Sequence, residues 1–513
     1  MKRLPIGIQT INKIIEDDYI YVDKTEVIFK LMKGEYFFLS RPRRFGKSLL
    51  VSTLKEIFSG NKELFKKQWI YDKIEWKSHP VIHIDFSSIT HSEGRENFKE
   101  NILLSLYNTA KSYGIALETE DLKECLSETV TKLHGKYGKV VILIDEYDKP
   151  IIDYLEDINK ANENKELLAG FYETIKPLDK YLRFVFITGV SKFSKVSIFS
   201  RLNNLLDITM DEAYWNICGY TQNELEKNFD KHIDVLMEKS NLTKENLLKK
   251  IKHWYNGYSW DGKNTVYNPF GILILFQQNQ FKNHWFQTAT PTFLIKLINS
   301  KNEPIEDYEG FRVGEESFDS YDIENIDPVI LLFQTGYLTI KRIRNRRYYL
   351  GYPNFEVKES FMVHLLANYS NIMPSRIKPI YFDMLDYLEE ENIEKFKRSL
   401  VALFAKIPYQ LHIDKESYYH SLTYLILELL GADIILEEST DKGRIDGVLE
   451  LERQIYIIEF KMNKAEDALK QIEEKKYYEK YIDKNKKIIL LGIGGFREKE
   501  LEVLNKVKFV GDC

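Results

Sequence analysis

The residues Ser40-Arg41-Pro42-Arg43-Arg44-Phe45-Gly46-Lys47-Ser48 constrain this chain more than any other stretch. They follow the apolar run Tyr36-Phe37-Phe38-Leu39 and precede Leu49-Leu50-Val51-Ser52-Thr53-Leu54, which reads as the start of a helix. Strand, turn, Gly-Lys-Ser and helix is the order that a phosphate-binding loop requires. The helix N-terminus offers unpaired N–H groups, Lys47 is placed to reach β- and γ-phosphates, and Ser48 to hold Mg²⁺. The pattern G-x-x-x-x-G-K-S/T asks for glycine at position 41, where this chain has Arg41. A basic loop before an ordinary helix therefore competes until a partner motif is found.

That partner is Lys139-Val140-Val141-Ile142-Leu143-Ile144-Asp145-Glu146-Tyr147-Asp148. A continuous apolar run fits a strand buried on both faces of a parallel sheet. Ending it in Asp-Glu places two carboxylates at the carboxyl edge, where open α/β sheets bind ligands. Asp145 then shares the Mg²⁺ of Ser48, and Glu146 orients or deprotonates an attacking water. A further apolar strand, Arg183–Gly189, ends in polar residues and leads into Val190-Ser191-Lys192-Phe193-Ser194-Lys195. Thr188 and Ser191 are the candidates for a polar group that senses a γ-phosphate. Arg201 is the candidate for neutralising transition-state charge, against a plain surface arginine.

Length and charge set the outer bounds. A chain of 513 residues implies about two to four domains. Its net charge of −5 gives no overall basic field, so any nucleic-acid contact must come from a local patch. The three cysteines are scattered, without the spacing of a zinc site or disulfide framework, which suits a reducing cytoplasm. No run approaches the ~18 apolar residues of a membrane span, so no membrane contact is expected.

Between residues 210 and 375 no chemical motif stands out. The aromatic-rich text Trp254-Tyr255-Asn256-Gly257-Tyr258-Ser259-Trp260 reads as core and turn packing in preference to a base-stacking platform. The run Gly336–Leu350 has two β-rich halves around a basic centre, with five Lys or Arg at positions 341–347. It predicts a β-hairpin within a winged-helix-like unit. The cations point equally to phosphate contacts or to a solvated tip.

The carboxy-terminal third holds a second constellation. If Gly443–Glu450 and Gln454–Met462 are antiparallel strands with a loop centred between Glu452 and Arg453, Asp446 lies opposite Glu459, and period two puts Lys461 beside Glu459. Two facing acids and a lysine suit a divalent metal and a phosphodiester. A chance charged hairpin is the rival, but Ile455-Tyr456-Ile457-Ile458-Glu459-Phe460-Lys461 sets ionised groups in an apolar run, and buried charges need a partner or a purpose. The helix after it puts Gln471, Lys475 and Tyr478 on one face.

Arg-Pro-Arg-Arg-Phe-Gly-Lys-Ser, Leu-Ile-Asp-Glu-Tyr-Asp-Lys-Pro, Thr-Gly-Val-Ser-Lys-Phe-Ser and Leu-Asn-Asn-Leu together resemble the bacterial AAA-ATPase-like family. Its members carry a carboxy-terminal PD-(D/E)XK nuclease-type domain, and Gly-Arg-Ile-Asp, Glu-Phe-Lys and Ala-Leu-x-Gln-Ile resemble that domain's motifs. The family's usual loop has the same arginine for glycine. The resemblance implies an α/β architecture in three parts. These are a P-loop NTPase domain with a parallel sheet flanked by helices over 1–215, a mainly helical and winged-helix-like region over 216–375, and a restriction-endonuclease-like nuclease domain over 376–513.

For the site residues it implies ATP and Mg²⁺ at Arg43, Arg44, Phe45, Gly46, Lys47, Ser48, Asp145, Thr188 and Arg201, with Glu146 catalytic. Arg41 is a further candidate for a phosphate contact. At the nuclease site it implies metal ligands Asp446 and Glu459, with Mn²⁺ an alternative to Mg²⁺, catalytic Lys461, Gln471 near the phosphate, and a supporting acid at Glu428, for which Glu416 is a rival. The resulting expectation is a cytoplasmic ATPase coupled to a metal-dependent nuclease acting on nucleic acid, DNA ahead of RNA, with room for a homo-oligomer. The alternatives are an ATP-dependent regulatory protein that binds nucleic acid without cutting it, and a nuclease whose nucleotide is only structural.

Overall fold

In the computed structural model the chain is described from Met1 to Lys508, apart from residues 93, 193–201, 203, 286–293, 296, 299–307, 319–325, 371, 406–424, 427–428, 431–433, 441–442 and 496–500. Arg201, Glu416 and Glu428 lie outside the described residues. Two compact units form, one from residues 1–297 and 308–357, the other from 298–307 and 358–513.

The first unit is built on a five-stranded parallel sheet. Its strands are β1 (Tyr36–Ser40), β2 (Val81–Asp85), β3 (Val140–Asp145), β4 (Leu182–Gly189) and β5 (Leu206–Asp207), in the order β2-β3-β4-β1-β5. Every residue of β1 and β3 is buried, as the unbroken apolar runs predict for strands covered on both faces. The helices Arg95–Ser112, Leu122–Tyr137 and Ile158–Glu173 bury apolar stripes that include Phe98, Leu126 and Leu168. Asp121 caps the second of them, its carboxylate accepting from Lys123 and Glu124 N–H. Because β4 lies between β1 and β3, with Leu39 level with Thr188 and Ile144 level with Ile187, the phosphate-loop strand and the acidic strand end on either side of Thr188.

The region after β5 packs into this same unit. A three-stranded antiparallel sheet, β6 (Phe311–Gly314), β7 (Thr339–Arg344) and β8 (Arg347–Gly351), is ordered β6-β8-β7. The basic run is a hairpin, as its pattern predicts. Its turn residues Asn345 and Arg346 have φ of 51° and 59°, the positive values that a tight hairpin turn matching strand twist requires. The helix Pro328–Thr335 precedes it, capped by Asp327. The aromatic text of 254–260 is core: Tyr255, Tyr258 and Trp260 are all buried.

What that core holds is the phosphate loop. Phe45 is buried with its ring edge-on to Tyr258 at 4.8 Å and Trp260 at 5.5 Å. The Arg41 guanidinium lies 3.8 Å above the Trp260 ring and donates to the carbonyls of Ser40 at 2.9 Å and Thr209 at 2.8 Å. Trp285 Nε1 donates to the Arg43 carbonyl at 3.2 Å, and Arg44 stacks on Phe270 at 3.8 Å. Arg41 is therefore no phosphate contact, contrary to the sequence expectation: it is fully buried, its charge spent on carbonyls and an indole face.

The second unit carries a mixed sheet of β9 (Ile434–Thr440), β10 (Gly443–Glu450), β11 (Gln454–Phe460), β12 (Lys487–Gly494) and β13 (Glu502–Lys508), ordered β13-β12-β11-β10-β9. β10 and β11 are antiparallel with Gly447 opposite Ile458 and Glu450 opposite Ile455. That is the register inferred from the loop centre at Glu452 and Arg453. β12 runs parallel to β11 after the crossover helix Ala465–Lys475.

The buried Arg41 makes a stability test possible. Arg41→Gly, which restores the usual loop letter, strips the Thr209 carbonyl and the Trp260 face of their partner. It is expected to cost roughly 2–4 kcal/mol, read as a lower denaturant midpoint for the first unit. An unchanged midpoint would contradict the stapling role.

Candidate active sites

The first site forms at the carboxyl edge of the parallel sheet. Gly46 caps the helix Lys47–Phe58 with φ 92° and ψ 22°, a left-handed conformation that costs glycine nothing. This turn aims the first helical N–H groups back at the loop, and no side chain caps them. Anions bind at such a terminus through those N–H groups and the helix dipole. Lys47 is buried, and its Nζ donates to the carbonyls of Arg41 at 2.9 Å and Pro42 at 3.0 Å. Burial lowers its pKa, while the carboxylates of Glu146, Asp145 and Asp148 raise it in opposition.

Asp145 and Glu146 meet this loop from β3. Burial raises the Asp145 pKa against a hydrogen bond from Ser48 and the charge of Lys47, so the two side chains expected to share Mg²⁺ are in contact. Glu146 has φ 48°, an uncommon conformation for a residue with a Cβ. Its pKa is raised by burial first, then by Asp145, Asp148 and Asp85, against Lys47. A carboxylate whose proton affinity is raised by burial and by neighbouring acids is a stronger base, suited to taking a proton from water.

Thr188, the penultimate residue of β4, has its hydroxyl buried and unpartnered. Ser191 is engaged differently. Asp148, fully buried, accepts from Ser191 N–H at 2.6 Å, Ser191 Oγ at 2.7 Å and Val190 N–H at 3.0 Å. Asp148 thus locks the loop after β4 to the acidic strand's end, a role the sequence reading did not assign although the residue lies in the same Asp-Glu-Tyr-Asp text. Asp85, level with Asp145 at the end of β2, and the buried Lys192–Asp207 ion pair at 2.8 Å were missed too. The only sequence signal for Asp85 is an acid ending an alternating strand. Arg43 and Arg44 are exposed on the loop, and the Phe45 side chain is committed to the aromatic core, leaving only its backbone for a ligand.

The second site lies in the second unit. Asp446 sits one step beyond the Gly447–Ile458 pair, its Oδ2 accepting from Phe460 N–H at 2.9 Å. Glu459 is almost fully buried, and Lys461 Nζ stands 3.3 Å from its Oε1. Gln471 Nε2 donates to that same oxygen. Helix Ala465–Lys475 comes this close because β12 has glycine at 492. A Cβ there would lie 2.4 Å from the Ala465 carbonyl oxygen.

Asp446, Glu459, Lys461 and Gln471, scattered over 26 positions of sequence, are brought together. Burial first, and the Asp446 charge second, push the Glu459 carboxyl up to about 7, with Lys461 opposing. Its Oε2 is buried without any hydrogen-bond partner. Among the described residues no three His, Cys, Asp or Glu side chains are grouped so as to hold a metal ion, so the candidate ligands at this site are this pair. Two hard carboxylate oxygen donors, one orphaned, fit Mg²⁺ or Mn²⁺.

Comparison with known proteins gives one family match within each unit. A family model described as "Predicted AAA-ATPase" matches residues 5–199, and one described as "PD-(D/E)XK nuclease superfamily" matches residues 414–505. A protein of Azotobacter chroococcum mcd 1, described as "Uncharacterized protein in vnfD 5′region", is 37% identical over 526 residues, covering 99% of this chain and 99% of its own. The solved structure of the Aeropyrum pernix Orc1 protein in complex with DNA aligns over 68% of this chain and 94% of that one, at 11% identity and a TM-score of 0.26. That score is too low to relate residues or ligands between the two. Among the described residues no helix is long and apolar enough to cross a membrane.

The Glu459 environment predicts a pH slope. Its folded pKa of about 7 exceeds the ordinary 4.5, so the folded state binds the proton more tightly. In metal-free protein this stabilisation is complete below the ordinary value and is lost as pH rises through about 7. Calorimetric melting in chelator should show the fall, and Glu459→Gln should flatten it. Identical profiles would contradict the buried-acid assignment.

Proposed function

The chain belongs to the bacterial AAA-ATPase-like family with a carboxy-terminal PD-(D/E)XK nuclease superfamily domain, and from that premise we propose that it binds and hydrolyses ATP and cuts nucleic-acid phosphodiesters. The observation that carries the nuclease half is the buried, unpartnered Glu459 Oε2 beside Asp446, with Lys461 and Gln471 on the other oxygen. An acid so placed is costly unless a cation completes it.

In this reading the amino-terminal unit cradles the triphosphate on the N–H groups following Phe45 and Gly46. Lys47 leaves the loop carbonyls for the β- and γ-phosphates, and Ser48 with Asp145 holds Mg²⁺. Glu146 accepts the proton of the attacking water, and Thr188, with its free hydroxyl, meets the γ-phosphate. Arg43, exposed on the loop, faces the phosphates, and Arg44 joins it on leaving the Phe270 ring. Arg201 remains the proposed charge-neutralising arginine on sequence grounds.

At the second site Asp446 and Glu459 hold a divalent cation, with Glu428 a further ligand proposed from sequence. Bound Mg²⁺ or Mn²⁺ supplies Lewis-acid polarisation of a water and of a phosphoryl oxygen. Lys461 neutralises charge that develops on the scissile phosphate, and Gln471 fixes the Glu459 carboxylate by its hydrogen bond. Nucleic acid, DNA ahead of RNA, is the proposed substrate. The two described cysteines, Cys125 and Cys218, are free and buried, which supports a cytoplasmic setting.

Four proteins test this: wild type, Lys47→Ala, Glu146→Gln and Asp446→Ala, assayed for ATP turnover and for cutting of single- and double-stranded DNA and RNA with Mg²⁺ or Mn²⁺. Lys47→Ala and Glu146→Gln are expected to lower ATP turnover by about 100-fold or more. Asp446→Ala should abolish cutting while sparing turnover. Nucleic-acid binding without cutting by wild type would transfer the chain to the regulatory alternative, and unchanged turnover in Lys47→Ala would remove the ATPase assignment.

A further inference from the structure

The three-stranded sheet β6-β8-β7 has one face that neither site uses. Along β8, Tyr348 and Leu350 point inward: Tyr348 meets the Phe318 ring at 5.0 Å, and Leu350 is fully buried. Period two then turns Arg347 and Tyr349 outward. Tyr349 is level with Arg312 on β6 and Arg342 on β7, and Arg347 is level with Gly314 and Arg344. The outer face therefore reads Arg312–Tyr349–Arg342 in one row and Gly314–Arg347–Arg344 in the next.

A bulge creates this arrangement. The register jumps between Ile340, opposite Leu350, and Arg342, opposite Tyr349. In an unbulged ladder Lys341 would pair with Tyr349 and Arg342 would fall opposite inward-facing Tyr348. The bulge at Lys341 instead turns Arg342 and Arg344 to this face and Ile343, itself 40% exposed, to the other face beside Gly262. Arg312, Arg342, Arg344 and Arg347 are all exposed, and among the described residues none makes an ion pair.

The Tyr349 ring spaces two of these cations, with the Arg342 guanidinium 4.2 Å and the Arg312 guanidinium 5.6 Å from its centroid. Glu316 lies over Gly314 at one end of the face and Glu309 over Gly351 at the other, so acids border the arginine cluster. Clustered like charges repel, at a cost that falls when a polyanion neutralises them. Guanidinium forks match phosphate oxygens in pairs. Neighbouring strands about 4.8 Å apart, and alternate residues about 7 Å apart, set the guanidiniums as a two-row grid.

We propose that this arginine face of β6-β8-β7 is a track for a nucleic-acid strand, its phosphates on Arg312, Arg342, Arg344 and Arg347. The inference rests on the proposed action on nucleic acid and adds where the strand is held. Large apolar side chains that would enter a lipid surface are on the opposite side of the sheet, which disfavours a membrane.

The test uses the full chain in chelator, so that binding is read without cutting. Anisotropy of labelled single-stranded and duplex DNA, and of labelled RNA, is followed between about 50 and 200 mM salt. Arg342→Gln/Arg344→Gln/Arg347→Gln is expected to bind on the order of 10-fold or more weaker, with the log–log salt slope reduced by about 2–3. Tyr349→Ala should give a smaller loss of affinity. An unchanged melting profile certifies that the variants fold. Wild-type affinity and slope in the triple variant, while wild type binds and cuts DNA, would overturn the track alone. No binding of labelled DNA or of labelled RNA by wild type would overturn both the track and the nuclease reading. Binding of wild type to anionic vesicles but not to DNA or RNA would overturn the track in favour of a lipid surface.

Discussion

The first unit depends on how its phosphate loop is gripped. Phe45 is inserted between Tyr258 and Trp260, and Arg41 is clamped between the Trp260 ring and the carbonyls of Ser40 and Thr209. The loop is anchored by the side chains of Phe45 and Arg41. Arginine at position 41 thereby takes a structural task. The proposed phosphate contacts are then the backbone, Lys47 and the exposed Arg43. The grip also explains why the aromatic-rich segment belongs with the nucleotide unit: taking it away would expose Phe45 and leave a buried guanidinium without its partners.

The same segment carries the hairpin. Ser259 N–H donates to Thr339 Oγ1 at 2.7 Å, Thr339 Oγ1 donates to the Ser259 carbonyl at 2.9 Å, and Gly262 lies against Ile340 and Ile343. Lys192 N–H, two residues after the Val190 that Asp148 holds, donates to buried Gln334 at the end of the helix leading into β7. Two covalently separate routes therefore join the carboxyl edge of the parallel sheet to β7. Packed, hydrogen-bonded contacts of this kind are the physical means by which a change at one place alters another.

The second unit meets a different constraint, the burial of an acid. Glu459 sits on a central strand flanked by β10 and β12, where an apolar residue would be cheaper. Its cost is offset on one oxygen by Lys461 and Gln471 and left open on the other. The strand ladder alone would tolerate many residues at 459. It is the helix pressed onto Gly492 that brings Gln471 to the same oxygen.

Much of this was readable in the residues themselves. Unbroken apolar runs are forced by two-sided burial, so β1, β3 and β4 were legible, as were the acids at the end of β3. Antiparallel register follows from a loop centre, so the facing of Asp446 and Glu459 was an arithmetic consequence of Glu452 and Arg453. The hairpin at Asn345 and Arg346 was legible from its pattern. Other features depend on long-range partners that no local pattern names. Arg41 looks like a phosphate ligand until Trp260, over 200 positions away, is seen to cover it. Asp148 looks like a surface acid until the loop after β4 folds onto it. The outward set of Arg342 and Arg344 hangs on one bulged residue, which shifts every later side chain to the opposite face. Sequence alone determined which elements form and which chemistry their ends carry, because backbone period and burial are local demands. Tertiary structure decided which charges are exposed and which are stapled, because that depends on what packs against them.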